Sequence, residues 1–319
     1  MKDSFGRTID YARISITDRC NLRCTYCMPE GVEQITHAEV LRFEEILRLA
    51  GVMAGLGISR FKVTGGEPFV RSGAIDFIRR LKLLGGVSQV TLTTNGVLLE
   101  RHLEDLADIG VDGVNISLDT LSRRSFRMLT GADELEAVLN AIDACAASGL
   151  RTKVNTVLLH GVNEHEVARI AELAREKVAA VRFIELMPVG RSLGEDAFGV
   201  AKLRRILESE FGTPEPIDEK LGNGPAVYYR VAGFEGKIGV IPAMSDSFCT
   251  NCNRIRLTSD GFLKLCLSHD DGIDLCAALR SGKHDADIAR MIEQAVMVKP
   301  QLSGFEQAGK GRQMHAIGG

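Results

Sequence analysis

Cys20-Asn-Leu-Arg-Cys24-Thr-Tyr-Cys27 occupies the loop after the first strand-like run. Three thiolates within eight residues can wrap one face of a small metal cluster. A cubane of four irons held by three cysteines keeps one iron open, as a catalytic metal keeps one position for substrate. A zinc knuckle lacking its fourth ligand competes with this reading. Zinc pairs, however, come as C-x2-C with a second pair downstream, and none lies close by.

Around this loop, β-rich runs alternate with amphipathic segments from Tyr11 to Leu186. Strands are expected at 11–16, 59–63, 88–92, 113–117, 152–157 and 181–185. Helical periodicity covers 39–56, 73–84, 98–109, 134–148 and 163–177; in the first, Val40, Phe43, Leu47, Ala50 and Met53 fall near one face. Gly57, Gly85, Gly110 and Gly149 follow four of these helices, where a left-handed C-cap favours glycine. Six βα units read as a parallel sheet with helices packed outside. Polar residues gather at the strand C-termini: Thr17 and Asp18, then Gly65-Gly66-Glu67, Thr93-Thr94-Asn95, Asn115 with Ser117 and Asp119, Lys153 with Asn155, and Glu185 with Met187. Helix capping accounts for some of these, such as Asp18 and Asp119, but not for an inward Lys153. Chemistry spread over one end of many strands favours an incomplete barrel over an open doubly wound sheet, whose site sits at one switch point.

The composition sets limits. The 319 residues suffice for two domains or one barrel with an extension. Thirty-nine Lys and Arg against 42 Asp and Glu give a net charge of −3, which excludes a protein that coats nucleic acid or anionic membrane but not a local basic pocket. No run approaches the ~18–20 apolar residues of a membrane span, and the first fifteen residues lack the apolar core of a secretory signal. The cytoplasm is the expected location, where cysteines serve as thiols or metal ligands.

Stretches beginning at Phe211 and Leu221 read as a linker, so a core domain is expected over 4–215 and a second domain over 216–319. In the latter, short strands are expected at 227–231, 237–240, 254–258 and 262–265, with helices near 275–279 and 285–298. Cys249, Cys252 and Cys266 form a second triad with C-x2-C-x13-C spacing. Spacing alone leaves zinc and iron–sulfur equal, since His269 or Cys276 can complete a zinc site. Arg254 and Arg256 follow Cys252 at strand spacing and share a face, which suits an anionic ligand with bidentate contacts to phosphate. Cys145 and Cys276 read as structural. By composition the glycine-rich stretch 304–319 is a frayed tail.

C-x3-C-x2-C with Tyr26 before the last cysteine resembles the radical S-adenosylmethionine (SAM) superfamily, as does Thr64-Gly-Gly-Glu-Pro68 after the second strand. Adding the second triad, its Arg-x-Arg and Gly318-Gly319, the chain resembles the GTP 3′,8-cyclase family from about Arg13 to its end. Further agreeing stretches include Thr93-Thr-Asn-Gly96, Asn115-Ile-Ser-Leu-Asp119 and Ser247-Phe-Cys249. The resemblance implies an α/β fold: an incomplete (β/α)6 TIM-like barrel of the radical SAM type, with a C-terminal α+β extension carrying a second cluster. It implies that Cys20, Cys24 and Cys27 hold one [4Fe–4S] cluster, whose open iron binds SAM. Tyr26, Gly66, Ser117 and Met187 match SAM-contacting positions. Cys249, Cys252 and Cys266 would hold a second [4Fe–4S] cluster that meets the guanine of GTP. Arg13, Lys62, Thr93, Lys153, Arg254 and Arg256 match GTP-contacting positions, with Arg60 and Arg182 as further triphosphate-side residues. SAM would be cleaved to methionine and a 5′-deoxyadenosyl radical, which takes the ribose 3′ hydrogen before C3′ attacks C8. Gly318 and Gly319 would thread into the site and position the catalytic Arg13. A homodimer, an external electron donor and handover of product to cyclic pyranopterin monophosphate synthase are implied as well. Another radical SAM enzyme with an auxiliary cluster, such as a peptide-modifying maturase, and a zinc-stabilised binding module are the alternatives.

Overall fold

The computed structural model describes residues 1–28, 35–189, 198–245, 248–305 and 314–318. The six expected strands are present as β1 (Tyr11–Ser15), β2 (Arg60–Thr64), β3 (Gln89–Thr94), β4 (Gly113–Ser117), β5 (Thr152–Leu158) and β6 (Ala180–Glu185), each paired in parallel with the next. The second half adds β7 (Glu215–Ile217), β8 (Val227–Arg230), β9 (Lys237–Ile241), β10 (Arg254–Leu257), β11 (Phe262–Lys264) and β12 (Gly272–Asp274). All twelve form one sheet in the order β12-β11-β10-β1-β2-β3-β4-β5-β6-β9-β8-β7. β10 joins β1 and β9 joins β6, both in parallel, so the C-terminal extension lengthens the parallel sheet at both edges. Antiparallel strands lie outside each of them.

Alternation along the strands sorts side chains onto two faces. Ala12 and Ile14, Phe61 and Val63, Val90 and Leu92, Val114 and Ile116 enter the apolar core under the helices. Their neighbours Arg13, Lys62, Thr91 and Asn115 line a cavity on the other face. That arrangement is the incomplete TIM-like barrel.

The helices follow the expected periodicity, with shifted ends. The first spans Phe43–Gly55 and starts four residues later than its apolar pattern. The carboxylate of Glu39 turns back to Thr36, whereas that of Glu45 accepts the Arg42 N–H at 2.7 Å and caps the helix there. The segment expected at 163–177 breaks into Val167–Ala171 and Leu173–Glu176. Gly110 and Gly149 take the left-handed C-cap, and Gly57 is left-handed one residue beyond its cap; after the second helix the left-handed residue is Gly86, not Gly85. Helices at Arg123–Thr130 and Val200–Phe211 were not anticipated. The expected linker is in part the end of the second of these and in part β7.

One buried side chain ties the chain's ends to the second cysteine loop. Arg7, 8% exposed, pairs with Asp3 at 2.6 Å and donates to the carbonyls of Cys249, Pro300 and Gln301 at 2.7–2.9 Å. Removing one partner of a buried pair strands the other's charge. Arg7→Met is therefore expected to lower the urea midpoint by the equivalent of about 3–5 kcal/mol, and Asp3→Asn in the same chain to restore part of it. An unchanged midpoint would count against the clamp.

Candidate active site

Strand register builds the site. Arg13 is level with Lys62 on β2 and Arg256 on β10. Lys62 is level with Thr91, Thr93 with Asn115, Asn115 with Lys153, and Asn155 with Arg182. All of these line a cavity of about 330 Å³, together with Arg254. Arg182 donates to Asn115 Oδ1 at 2.5 Å, Asn115 donates to the Leu92 carbonyl at 2.8 Å, and Lys153 donates to the Leu221 carbonyl. Arg60, by contrast, pairs with Asp10 at 3.1 Å and does not line the cavity.

These cations are buried and repel one another. Burial pushes Lys62 well below the usual lysine range, and Arg182, Arg13 and Lys153 push it further. Burial, then Arg182 and Arg151, bring Lys153 to about 7. Arg13 and Arg256 are lowered by burial first and by neighbouring guanidiniums second. The carboxylates on the wall are engaged elsewhere: Asp112 with Lys82, Asp119 with Tyr26, Glu185 with the N–H groups of Val200, Met244 and Ser245. Thr91 Oγ1, Asn155 Oδ1 and Arg182 Nε are buried without hydrogen-bond partners among the described residues. A cavity of this kind takes a polyanion with several hydrogen-bonding edges.

Cys20, Cys24 and Cys27 line the same cavity. The Gly-Gly-Glu-Pro turn holds their loop from below. Gly66 N–H donates to the Thr17 carbonyl at 2.7 Å and Glu67 N–H to the Arg19 carbonyl at 2.8 Å. A Cβ on Gly66 would fall 2.4 Å from the Arg19 oxygen, so this glycine serves the approach of the cysteine loop as well as the cavity wall. Glu67 is fully buried and accepts from Phe69 N–H, Thr94 Oγ1 and Asn95 N–H; burial still raises its carboxyl to about 7. Asn95 Nδ2 donates to Cys20 Sγ at 3.6 Å. Burial and mutual repulsion raise the Cys24 thiol well above its usual range and the Cys27 thiol to about 12. Thiolates gathered this way need a cation among them, which suits this donor set to a metal cluster.

Tyr26, Gly66, Ser117 and Met187 line the cavity beside this triad. Tyr26 donates to Asp119 Oδ2 at 2.6 Å, Val157 N–H donates to Asp119 Oδ1 at 2.8 Å, and burial raises Asp119 to about 6. Asp119 is thus part of the site rather than a helix cap. Asp18 holds the Ile35 N–H at 2.8 Å and caps no helix either.

Cys249, Cys252 and Cys266 lie on the same cavity. Burial pushes Cys252 up, but Arg254 and Lys299 outweigh it and hold the thiol at about 7. His269 is turned to the Leu302 carbonyl at 3.2 Å and does not line the cavity. Cys145 and Cys276 belong to the apolar core, as expected. Residues 314–317 form a short helix, and Gly318 follows with φ +81°. The Gly318 carbonyl accepts from Arg256 at 3.1 Å, and a Cβ there would fall 2.7 Å from Thr64 Cγ2. The described contact therefore runs to Arg256, the register partner of Arg13. Gly319 and Ser247 lie outside the described residues, as does 306–313 of the expected tail.

Two family models match the chain: the radical SAM superfamily over residues 14–174 and Molybdenum Cofactor Synthesis C over 179–305. Relatives called GTP 3′,8-cyclase are 40% identical in Clostridium perfringens strain 13, 42% in Moorella thermoacetica and 43% in Heliobacterium modesticaldum. Each alignment covers 100% of this chain and 100% of the relative. Streptococcus suis SuiB bound to S-adenosylmethionine matches with a TM-score of 0.63 at 14% identity, over 88% of this chain and 68% of that one. The structure of anSMEcpe with bound AdoMet matches at 0.52 and 17% identity, over 62% and 56%. Those two structures bear on the fold alone.

The depressed Lys153 makes anion binding pH-dependent. Free Lys153 is largely neutral above about pH 7, and a bound polyanion restores its charge. Inorganic triphosphate is therefore expected to take up protons on binding at pH 8, and to bind more weakly as pH rises from 7 to 9. Calorimetry in buffers of different ionisation enthalpy reads the uptake. Lys153→Met should reduce it, and equal uptake in the variant would contradict this origin.

Proposed function

Because the chain belongs to the GTP 3′,8-cyclase family of the radical SAM superfamily, we propose that its cavity joins a SAM site, a triphosphate site and two cluster sites. Its reaction converts GTP to (8S)-3′,8-cyclo-7,8-dihydroguanosine 5′-triphosphate with reductive cleavage of SAM to 5′-deoxyadenosine and methionine, the opening step of molybdenum cofactor biosynthesis. The cofactors are SAM and two [4Fe–4S] clusters. The observation that carries the assignment of residues is that both cysteine triads and the cation group line one cavity.

In this reading Cys20, Cys24 and Cys27 hold the SAM cluster, and Tyr26, Gly66, Ser117 and Met187 surround SAM. Cys249, Cys252 and Cys266 hold the second cluster. When bound, the clusters and SAM supply one-electron cleavage of SAM and hydrogen-atom abstraction from ribose. The chain's own residues bind, orient and enclose. Arg13, Lys62, Lys153, Arg254 and Arg256 neutralise the triphosphate, and Thr93 offers a hydroxyl beside them. Arg182 joins this group, fixed by Asn115; Arg60 does not. Gly318 and Gly319 would help to position Arg13, and the Gly318 carbonyl accepts from its register partner Arg256. Tyr26 and Asp119 form a hydrogen-bonded pair at the wall beside the first triad.

The core domain runs over 4–215 in this proposal, through the helix Val200–Phe211 that follows β6, and 216–319 forms the extension; β7 straddles that boundary and pairs with β8. A homodimer, an external one-electron donor, transfer of product to cyclic pyranopterin monophosphate synthase and a cytoplasmic location complete it. No described helix is long and apolar enough to cross a membrane.

Anaerobic protein is expected to hold about eight irons and eight sulfides per chain, and Cys24→Ala about four, with no 5′-deoxyadenosine formed. Zinc in place of iron would overturn the assignment. Arg256→Ala should weaken GTP binding roughly 10–100-fold, the worth of one charge-assisted contact, while SAM cleavage by dithionite continues. Unchanged GTP affinity in a direct titration would remove Arg256 from the site.

A further inference from the structure

Lys299 is a buried cation that the reading above does not use. It follows the helix Asp285–Met297, is 2% exposed, and lines the cavity. Its ammonium donates to the carbonyl of Leu265, the residue before Cys266. No carboxylate among the described residues pairs with it. Two other buried cations nearby have one: Lys264, 1% exposed, pairs with Asp270 at 2.9 Å, and Arg7 pairs with Asp3 at 2.6 Å, whereas Arg256 faces the Gly318 carbonyl and the cation group of the cavity. The negative groups in electrostatic reach of Lys299 are the thiols of Cys252 and Cys266, while Arg7 and Arg254 add positive charge.

A buried ammonium without a counter-charge is costly, and one hydrogen bond to a carbonyl does not offset that cost. The negative groups that act on it are the thiols of Cys252 and Cys266, so thiolate charge there closes the balance. Thiolates bound to a metal cluster carry such charge permanently. A fixed cation next to a cluster stabilises its more negative, reduced form, and charge and hydrogen bonding near the sulfurs are among the protein's controls over cluster potential.

We infer that Lys299 is a positioning residue of the second cluster: its ammonium holds the backbone at Cys266 and its charge raises the reduction potential of that cluster. The inference rests on the reading of Cys249, Cys252 and Cys266 as an iron–sulfur site.

The test uses full-length chain carrying Cys24→Ala, so that the paramagnetic signal comes from the second cluster. Lys299→Met, Lys299→Gln and Lys299→Arg are compared by iron and sulfide content and by redox titration followed by electron paramagnetic resonance. The neutral variants are expected to titrate at a more negative potential than the parent, and Lys299→Arg to stay near it. Loss of iron in the neutral variants with retention in Lys299→Arg also supports the role. Full iron content with an unchanged potential in Lys299→Met and Lys299→Gln would overturn it. So would equal loss of iron in all three variants, which would make shape rather than charge the requirement. A potential that does not move while GTP affinity falls would instead assign Lys299 to the triphosphate. Zinc in the parent chain would remove both the inference and the reading beneath it, and the metal analysis distinguishes that case.

Discussion

Arg13 lies between Lys62 and Arg256 on hydrogen-bonded parallel strands, and the rest of the structure has to accommodate that crowding. Like charges brought together on neighbouring strands repel, and burial removes the solvent that would screen them. The opposite face of these strands and of β3 supplies the compensation. Ile14, Phe61, Val63 and Leu92 are fully buried there, each contributing about 1.5–3 kcal/mol. Because alternation fixes which residues go to which face, the stabilising layer and the strained one cannot be separated. A one-residue slip of any strand would bury a cation among leucines.

The extension has the same logic at larger scale. Six βα units leave two edges, and an exposed parallel edge invites pairing with another chain. β9 and β10 cover those edges and bring Arg254, Arg256 and the second triad round to face the first. Arg7 then locks the arrangement from outside, with the start of the chain, the Cys249 loop and residues 300–301 meeting on one guanidinium. The cavity is thus a product of both halves of the sequence.

Much of this is legible in the sequence. β-rich runs alternating with amphipathic segments place the six strands within a residue or two, since each is a local property of the chain. Both triads, Lys153 and the Arg-x-Arg pair were visible because their spacing matches the chemistry they perform. What escaped detection depends on contacts distant in sequence. Asp119 looks like a loop residue until Tyr26, 93 positions earlier, donates to it. Arg60 and Lys62 share a face in sequence, yet Asp10 draws Arg60 out of the cavity. Lys299 carries no motif, and only folding brings it beside Cys252 and Cys266. The pairing of β9 with β6 and of β10 with β1 was equally hidden, because short strands do not announce their partners.

The two triads end up in opposite electrostatic surroundings. The first has Glu67 in charge range of Cys20, and Asp119 in range of Cys24 and Cys27, both acids raised by burial. The second has Arg254 and Lys299, strong enough to overcome burial at Cys252. Partly ionised acids beside the first triad would disfavour added electrons, and in the proposed assignment they would also suit SAM, whose sulfonium is a cation. Positive surroundings do the reverse, and they suit a substrate bearing a triphosphate. A single cavity can therefore hold a cationic cofactor at one end and a polyanionic substrate at the other without either occupying the wrong end. In the proposed assignment, the acids beside the first triad and the cations beside the second would favour the cationic cofactor at one and the polyanionic substrate at the other, in addition to the shape of the cavity.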